Sequence, residues 1–281
     1  MKFGEKAAIV CCSNGQSIEN QNRMRQLQET LYRIGVVPVW SKYIYANENG
    51  ISGTAKERAE SLMNFYKNDE IQMICDVSGG DIANEILPYL EFDVIAASEK
   101  SFWGYSDLTT ILNAIYVKAG KESVLYQIRN LIYNDSERQI INFTNSIFYK
   151  QKDLFNIKCE FVQGRGMSGI VVGGNIRCLL KLAGTEYWPD MEGKILLLES
   201  FSGKVPQMIT YLSQLKMLGA FEKVNGILLG TFTEMEKLEC VPHIKELILD
   251  YVGKDVPVAY TKEIGHGIDS KAIIIGKRYE F

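Results

Sequence analysis

The chain has 281 residues, 46% hydrophobic and 23% charged, the ordinary range of a globular protein with a sizeable core. Thirty-one basic against thirty-four acidic side chains give a formal charge of −3, and no Lys/Arg cluster is interleaved with aromatics, which argues against a nucleic-acid polymer as partner. The apolar run Ala7 to Cys12 is too short for a signal-peptide core, and nothing approaches the roughly 18 apolar residues of a membrane span, so a cytoplasmic location with no membrane partner is expected.

In chain order, AAIVCCS (7–13) reads as a buried strand, followed by a polar loop and a helix from about 19 to 33. VVPVW (36–40) is a second strand, set off by Gly35, and a helix near 54–67 leads to the strand IQMICDVS (71–78), which ends in Gly79-Gly80. SFWGY (101–105) is a fourth strand, followed by a helix after Ser106. Strands alternating with helices predict a parallel, Rossmann-like sheet whose ligand crevice lies beyond the carboxyl ends of the strands. That rule puts the 13–17 loop, Gly79-Gly80 and Ser106 on one rim.

After about residue 135 the rhythm changes. SERQIINFTNSIFYKQ reads as a helix and KCEFVQGRGMSGIVVGGN as strand, turn, strand. A helix (175–183), a strand (194–199), a helix (205–218), a strand (226–230), a helix (241–250) and short strands near 257 and 272 follow. The expectation is an N-terminal α/β domain over 1–150, a linker over 151–165, and a mixed, strand-rich α/β domain over 166–281. GRGMSG (164–169) matches the dinucleotide pattern G-x-G-x-x-G, but β-branched IVVGG follows where a helix is required, so these glycines are expected to turn a hairpin.

Six cysteines with neither C-x-x-C nor a histidine at ligand spacing predict reduced thiols and no metal site. Histidine chemistry can use only His243 or His266. His243 follows Pro242 at a helix start and reads as an ordinary surface residue, whereas His266 lies between two glycines in EIGHGID. Ser106, between strand and helix, reads by itself as a helix N-cap; the same turn could instead expose its hydroxyl, with the N–H groups of the helix start placed to stabilise an oxyanion. Leu108 stands where the nucleophile-elbow pattern has glycine. Glu199 closes the apolar strand KILLLE. Ser106, Glu199 and His266 would make a hydrolase triad, but a long chain offers many such triples.

What selects this triple is a resemblance. The segments SGGDIANEILPYLEFDVI (78–95), SFWGYSDLTTILNAIY (101–116), VVGGNIRCLLKLAGTEYWPDMEGKILLLE (171–199) and IGHG (264–267) resemble the LD-carboxypeptidase family of serine peptidases, which includes the microcin C immunity hydrolases. The resemblance implies a two-domain α/β protein with Ser106 as nucleophile, His266 as base and Glu199 orienting the imidazole. It further implies an oxyanion hole from the backbone of Asp107 and of Gly79 or Gly80, and cleavage of a peptide next to a free carboxylate without a cofactor. The substrate typical of the family is a cytoplasmic muropeptide tetrapeptide that loses its terminal D-alanine. Asn175 and Lys204 are candidates to hold the substrate carboxylate; the plainer readings are a helix cap and a solvated helix start.

The chain departs from the family pattern with Val77-Ser78 before the Gly-Gly, where cell-wall members often carry Arg, with Cys11-Cys12-Ser13 after the first strand, and with Ile275 in place of a Pro. An immunity-type hydrolase acting on a peptidyl or acyl adenylate is the alternative, with Trp103, Tyr187 and Trp188 either stacking the base or filling the core. A non-catalytic α/β binding protein is a reading from another class. A homodimer is compatible with either.

Overall fold

The computed structural model describes residues 1–134 and 136–281. The first half alternates strand and helix: β1 (Lys6–Val10), α1 (Gln21–Arg33), β2 (Val37–Trp40), α2 (Ala55–Lys67), β3 (Ile71–Asp76), α3 (Phe92–Ala97), β4 (Ser101–Gly104), α4 (Thr109–Ala114) and β5 (Ser123–Leu125). Local chemistry explains the boundaries. Thr54 and Glu57 form a reciprocal capping box that starts α2. α1 buries Met24, Leu27 and Leu31, a helical stripe that lies on the sheet.

After α5 (Ser136–Tyr149) come β6 (Glu160–Gln163), β7 (Ser168–Asn175), α6 (Ile176–Leu180), β8 (Lys194–Ser200), α7 (Val205–Met217) and β9 (Gly226–Phe232). The chain closes with α8 (Thr233–Lys237), α9 (Ile244–Leu247), β10 (Val258–Tyr260), β11 (Ile273–Ile275) and β12 (Arg278–Glu280).

Two six-stranded sheets result. The first has the order β11-β5-β4-β3-β1-β2, all parallel except β11, which returns from the far end of the chain to pair antiparallel with β5. The second runs β12-β7-β8-β9-β10-β6, with β7 to β10 parallel and the two edge strands antiparallel. Both halves are therefore α/β with mostly parallel sheets, and β7-α6-β8-α7-β9 joins elements read from the sequence into parallel strand–helix units, a pairing that the mixed appearance of the second half did not reveal.

The expected hairpin around GRGMSG does not form. β6 and β7 lie on opposite sides of the second sheet, because β6 pairs with β10 while β7 pairs with β8 and β12. The glycines carry the chain across that sheet and no helix follows them. β5 and β12, three residues each, have no counterpart in the sequence reading, whereas the equally short β10 and β11 match the strands expected near 257 and 272. Among the described residues no helix is long and apolar enough to cross a membrane.

The halves meet on α4. One apolar cluster runs without a break from Leu108, Ile111 and Leu112 to Val171, Ile195, Leu197 and Leu228. At its centre the fully buried Asn113 amide donates to Gly173 O (2.9 Å) and accepts from Gly173 N (2.8 Å), acting as a strand partner for β7. Thr109 Oγ1 accepts from Asn175 N (3.0 Å), and a Cβ on Gly174 would stand 2.6 Å from that oxygen. The Gly-Gly-Asn stretch is thus the seat that lets α4 approach.

Candidate active site

In the first sheet the strand order 2-1-3-4-5 reverses direction between β1 and β3, the place where open parallel sheets leave a crevice at their carboxyl ends. The loops after β1, β3, β4 and β5 line a cavity of about 520 Å³ there, closed on the far side by Phe201 and His266. No carboxylate lines it among the described residues.

Ser106 follows the extended Tyr105 with a φ of 55°, a left-handed conformation costly for a residue with a Cβ. The expectation that Ser106 caps the helix is not met: its side chain makes no capping bond. Its hydroxyl lies 3.1 Å from His266 Nε2 instead, and His266 Nδ1 lies 2.6 Å from Glu199 Oε2. Glu199 is fully buried and the imidazole nearly so. The three sequence-selected residues therefore form one hydrogen-bonded chain, assembled from the two halves.

Glu199 is the next-to-last residue of β8, where the register with β9 slips between Leu198 and Ser200; such a slip re-aims a side chain. His266 rides on the loop after β10. That loop is tied by Ile264 O accepting from Thr231 N (2.8 Å), by Gly265 O accepting from Ser270 Oγ (2.7 Å), and by Gln139 of α5, whose amide donates to Ile268 O and Ser270 O (both 3.0 Å). Tyr105 and Phe201 flank the imidazole, with ring centroids 4.4 Å and 4.9 Å away. Burial, and then the nearby Glu199 charge, push the Tyr105 hydroxyl well above its ordinary pKa, so it stays protonated.

Two backbone N–H groups are candidates to meet an oxyanion formed at Ser106. Asp107 is in the first turn after the strand, where N–H groups lack intrahelical acceptors. Gly79 O accepts from Asn14 N (3.2 Å) on the β1 side; across a trans peptide the Gly80 N–H then points the opposite way, away from Asn14, and Gly80 and Ser106 both line the cavity. Gly80 has a φ of 119°, and a Cβ there would run into the Asn14 side chain. Of the two expected glycines, Gly80 is the candidate donor, and Gly79 supplies the carbonyl whose bond to Asn14 turns the Gly80 N–H away from that residue.

Both donors are braced from the second half, a feature the sequence reading missed. Arg177 of α6 donates to Gly80 O (3.0 Å) and pairs with Asp81. Lys181, just past α6, pairs with the buried Asp107 carboxylate and donates to Asp81 O (2.8 Å). The other Asp107 oxygen accepts from Ser13 Oγ (2.6 Å) and Ala83 N (2.8 Å). Below this, Asp76 takes Ser78 N (2.6 Å), Ser78 Oγ (2.5 Å) and Cys12 N (2.7 Å), tying the loops after β1 and β3 together. The Cys-Cys-Ser stretch thus supplies two of these ties, the Cys12 N–H to Asp76 and the Ser13 hydroxyl to Asp107.

The structure does not bring the two proposed carboxylate holders to the cavity lining. Asn175 is buried and caps α6 by accepting from Cys178 N (3.3 Å); Lys204 is exposed at the start of α7. Trp103 is core, packed edge-on against Tyr126, Phe143 and Phe155, and Tyr187 and Trp188 pack half-buried on the apolar clusters away from the cavity. His243 caps α9, its ring nitrogen accepting from Lys245 N (3.2 Å). All six thiols are free. Among the cavity residues that sequence reasoning passed over is Arg129, which follows β5, a strand it did not read.

Residues 7–126 match the N-terminal domain of LD-carboxypeptidases, and residues 168–281 match their C-terminal domain. The chain belongs to the LD-carboxypeptidase family of serine peptidases. It is 27% identical to the microcin C7 self-immunity protein MccF of Escherichia coli over 92% of this chain and 85% of that one. It is 28% identical to a probable murein peptide carboxypeptidase of Bacillus subtilis, over 83% of this chain and 76% of that one. The solved structure of MccF in an inactive mutant apo state superposes with a TM-score of 0.87 at 24% identity, covering 100% of this chain and 93% of MccF, a likeness of fold.

Proposed function

We propose that this LD-carboxypeptidase family member hydrolyses the peptide bond next to a free carboxylate, releasing the terminal D-alanine of a muropeptide tetrapeptide in the cytoplasm. The observation that carries this reading is the Glu199–His266–Ser106 hydrogen-bond chain opening on a cavity that no carboxylate lines among the described residues. Ser106 Oγ attacks the scissile carbonyl while His266 Nε2 takes its proton. Glu199 holds the Nδ1 proton and steadies the imidazolium. The oxyanion is met by the N–H groups of Asp107 and Gly80, an effect worth roughly 3 kcal/mol for each donor. As the C–N bond breaks, His266 returns the proton to the leaving amine. Water, deprotonated by the same imidazole, then frees the acyl-enzyme.

Incubation of the purified protein with a tetrapeptide ending in D-alanine tests the reading: free D-alanine accumulates, and Ser106→Ala stops it. A second reading is hydrolysis of an aminoacyl or peptidyl adenylate. It is favoured by Phe201, 57% exposed beside His266 where an aromatic base could stack, and by MccF having been solved with glutamyl sulfamoyl guanosine. Turnover of an adenylate with no D-alanine release decides for that reading.

A further inference from the structure

Recognition of a terminal carboxylate requires a cation or converging donors, and the fold withholds most of its cations from the cavity. Arg177 and Lys181 are committed to Asp81 and Asp107, and Lys204 points to solvent. Arg129 alone among the described residues brings a permanent positive charge to the lining.

Its place follows from the sheet. Gly104 pairs with Leu125, so two residues on, Gln127 stands beside Ser106, and Arg129 follows in the tight turn over Ile128–Ile132. Among the described residues the guanidinium is held by a bond donated to Gln127 Oε1 at 2.6 Å, which orients the fork without neutralising it. Among the same residues its buried Nε–H finds no acceptor, and the hydroxyl of Tyr105, 4% exposed on the same lining, is buried without a partner as well. Buried donors rarely go unpaired. Two such donors and a cation that no described carboxylate on the lining offsets are the complement of a compact oxyanion.

We propose that Arg129, oriented by Gln127 and assisted by Tyr105, is the subsite that binds an anionic group of the substrate beside the scissile bond. The group is a planar carboxylate, for which an arginine fork is suited, or a phosphoryl group in the same position. The inference rests on the peptidase reading of the cavity and adds to it the group that selects a charged chain end.

Calorimetry on Ser106→Ala, which binds without turnover, compares three probes: a tetrapeptide ending in D-alanine, its C-terminal amide, and adenosine monophosphate. The free acid is expected to bind at least about tenfold more tightly than the amide, the range of a charge-assisted hydrogen bond. Arg129→Gln in the same background should erase that preference with the thermal midpoint unchanged, and Arg129→Lys should restore part of it. Arg129-dependent binding of the nucleotide alone assigns the subsite to a phosphoryl group. Equal binding of acid and amide, an acid preference that survives Arg129→Gln, or no binding of either anion overturns the inference. Hydrolysis by the unsubstituted chain keeps the two readings apart. Arg129-dependent binding without cleavage defeats the peptidase reading and leaves the subsite standing, whereas cleavage indifferent to Arg129 does the reverse.

Discussion

At Ser106 the backbone is held left-handed at a cost of order 1–3 kcal/mol, and the return on that strain is a hydroxyl aimed at His266 Nε2 rather than at its own helix. The partner carboxylate has a narrower task. Glu199→Gln keeps the shape but offers an amide to Nδ1, which selects the wrong imidazole tautomer. A kcat loss on the order of 10³–10⁴ with little change in KM is expected from steady-state kinetics. Gly80→Ala places a Cβ against Asn14 at a positive φ and must turn the donor away from the oxyanion. Here kcat should fall on the order of 10²–10³, and a loss confined to KM would speak against an oxyanion role. Asp76 sets a pH signature of stability. Burial raises its pKa above the ordinary carboxylate value, partly offset by bonds from Ser78 and Cys12. The unfolded chain therefore ionises first as pH rises, and the cost of Asp76 to folding grows from the ordinary carboxylate value upward and levels off once its own raised pKa is passed. The stability of the wild type relative to Asp76→Asn should fall as pH rises above the ordinary carboxylate range and then reach a plateau in thermal melts.

At the scale of elements, one turn and a half of helix matters out of proportion to its length. α6 is only five residues, capped by Asn175, yet it and Lys181 send two cations across the junction to the residues that carry both candidate oxyanion donors. Lys181 is 19% exposed and the Asp107 side chain not at all, so Lys181→Met strands a buried carboxylate. A loss of about 3 kcal/mol in denaturant unfolding is expected, recovered in part by Asp107→Asn on top of it. The paired substitution should regain stability more fully than kcat, because Asp107 also receives Ser13 Oγ and Ala83 N in setting the turn after the nucleophile.

At the scale of the whole molecule, Ser106 belongs to the first sheet's rim while Glu199 and His266 belong to the second half, so the proposed chemistry exists only while the halves are docked. β11 crosses back to close the first sheet, and Gln139 of α5 ties down the His266 loop. The most direct test of this dependence is Asn113→Ala, at a residue that does not line the cavity. It leaves Gly173 N–H and C=O buried and unpaired, at about 1–3 kcal/mol for each. A displacement of α4 by about 1 Å should lower kcat by about a hundredfold. Unchanged kcat in a variant whose melting midpoint has dropped would separate docking from catalysis.

Period and composition alone marked most strands and helices of the first half, the rim at their carboxyl ends, and Gly79-Gly80 upon it, because burial on one face leaves its mark on neighbouring residues. The same local view made Ser106 a cap and Glu199 a strand end. Only a likeness extending over most of the chain picked them out together with His266. Pairing between distant segments was beyond it: β6 and β7 read as a hairpin, β5 and β12 did not register, and the parallel pairing of β7 to β10 was hidden. Which side chains meet across the junction, Lys181 with Asp107, Asn113 with Gly173, and Arg129 with the cavity, was decided by the docking of two sheets. A residue's partners there lie dozens of positions away and impose no period on the residues beside it.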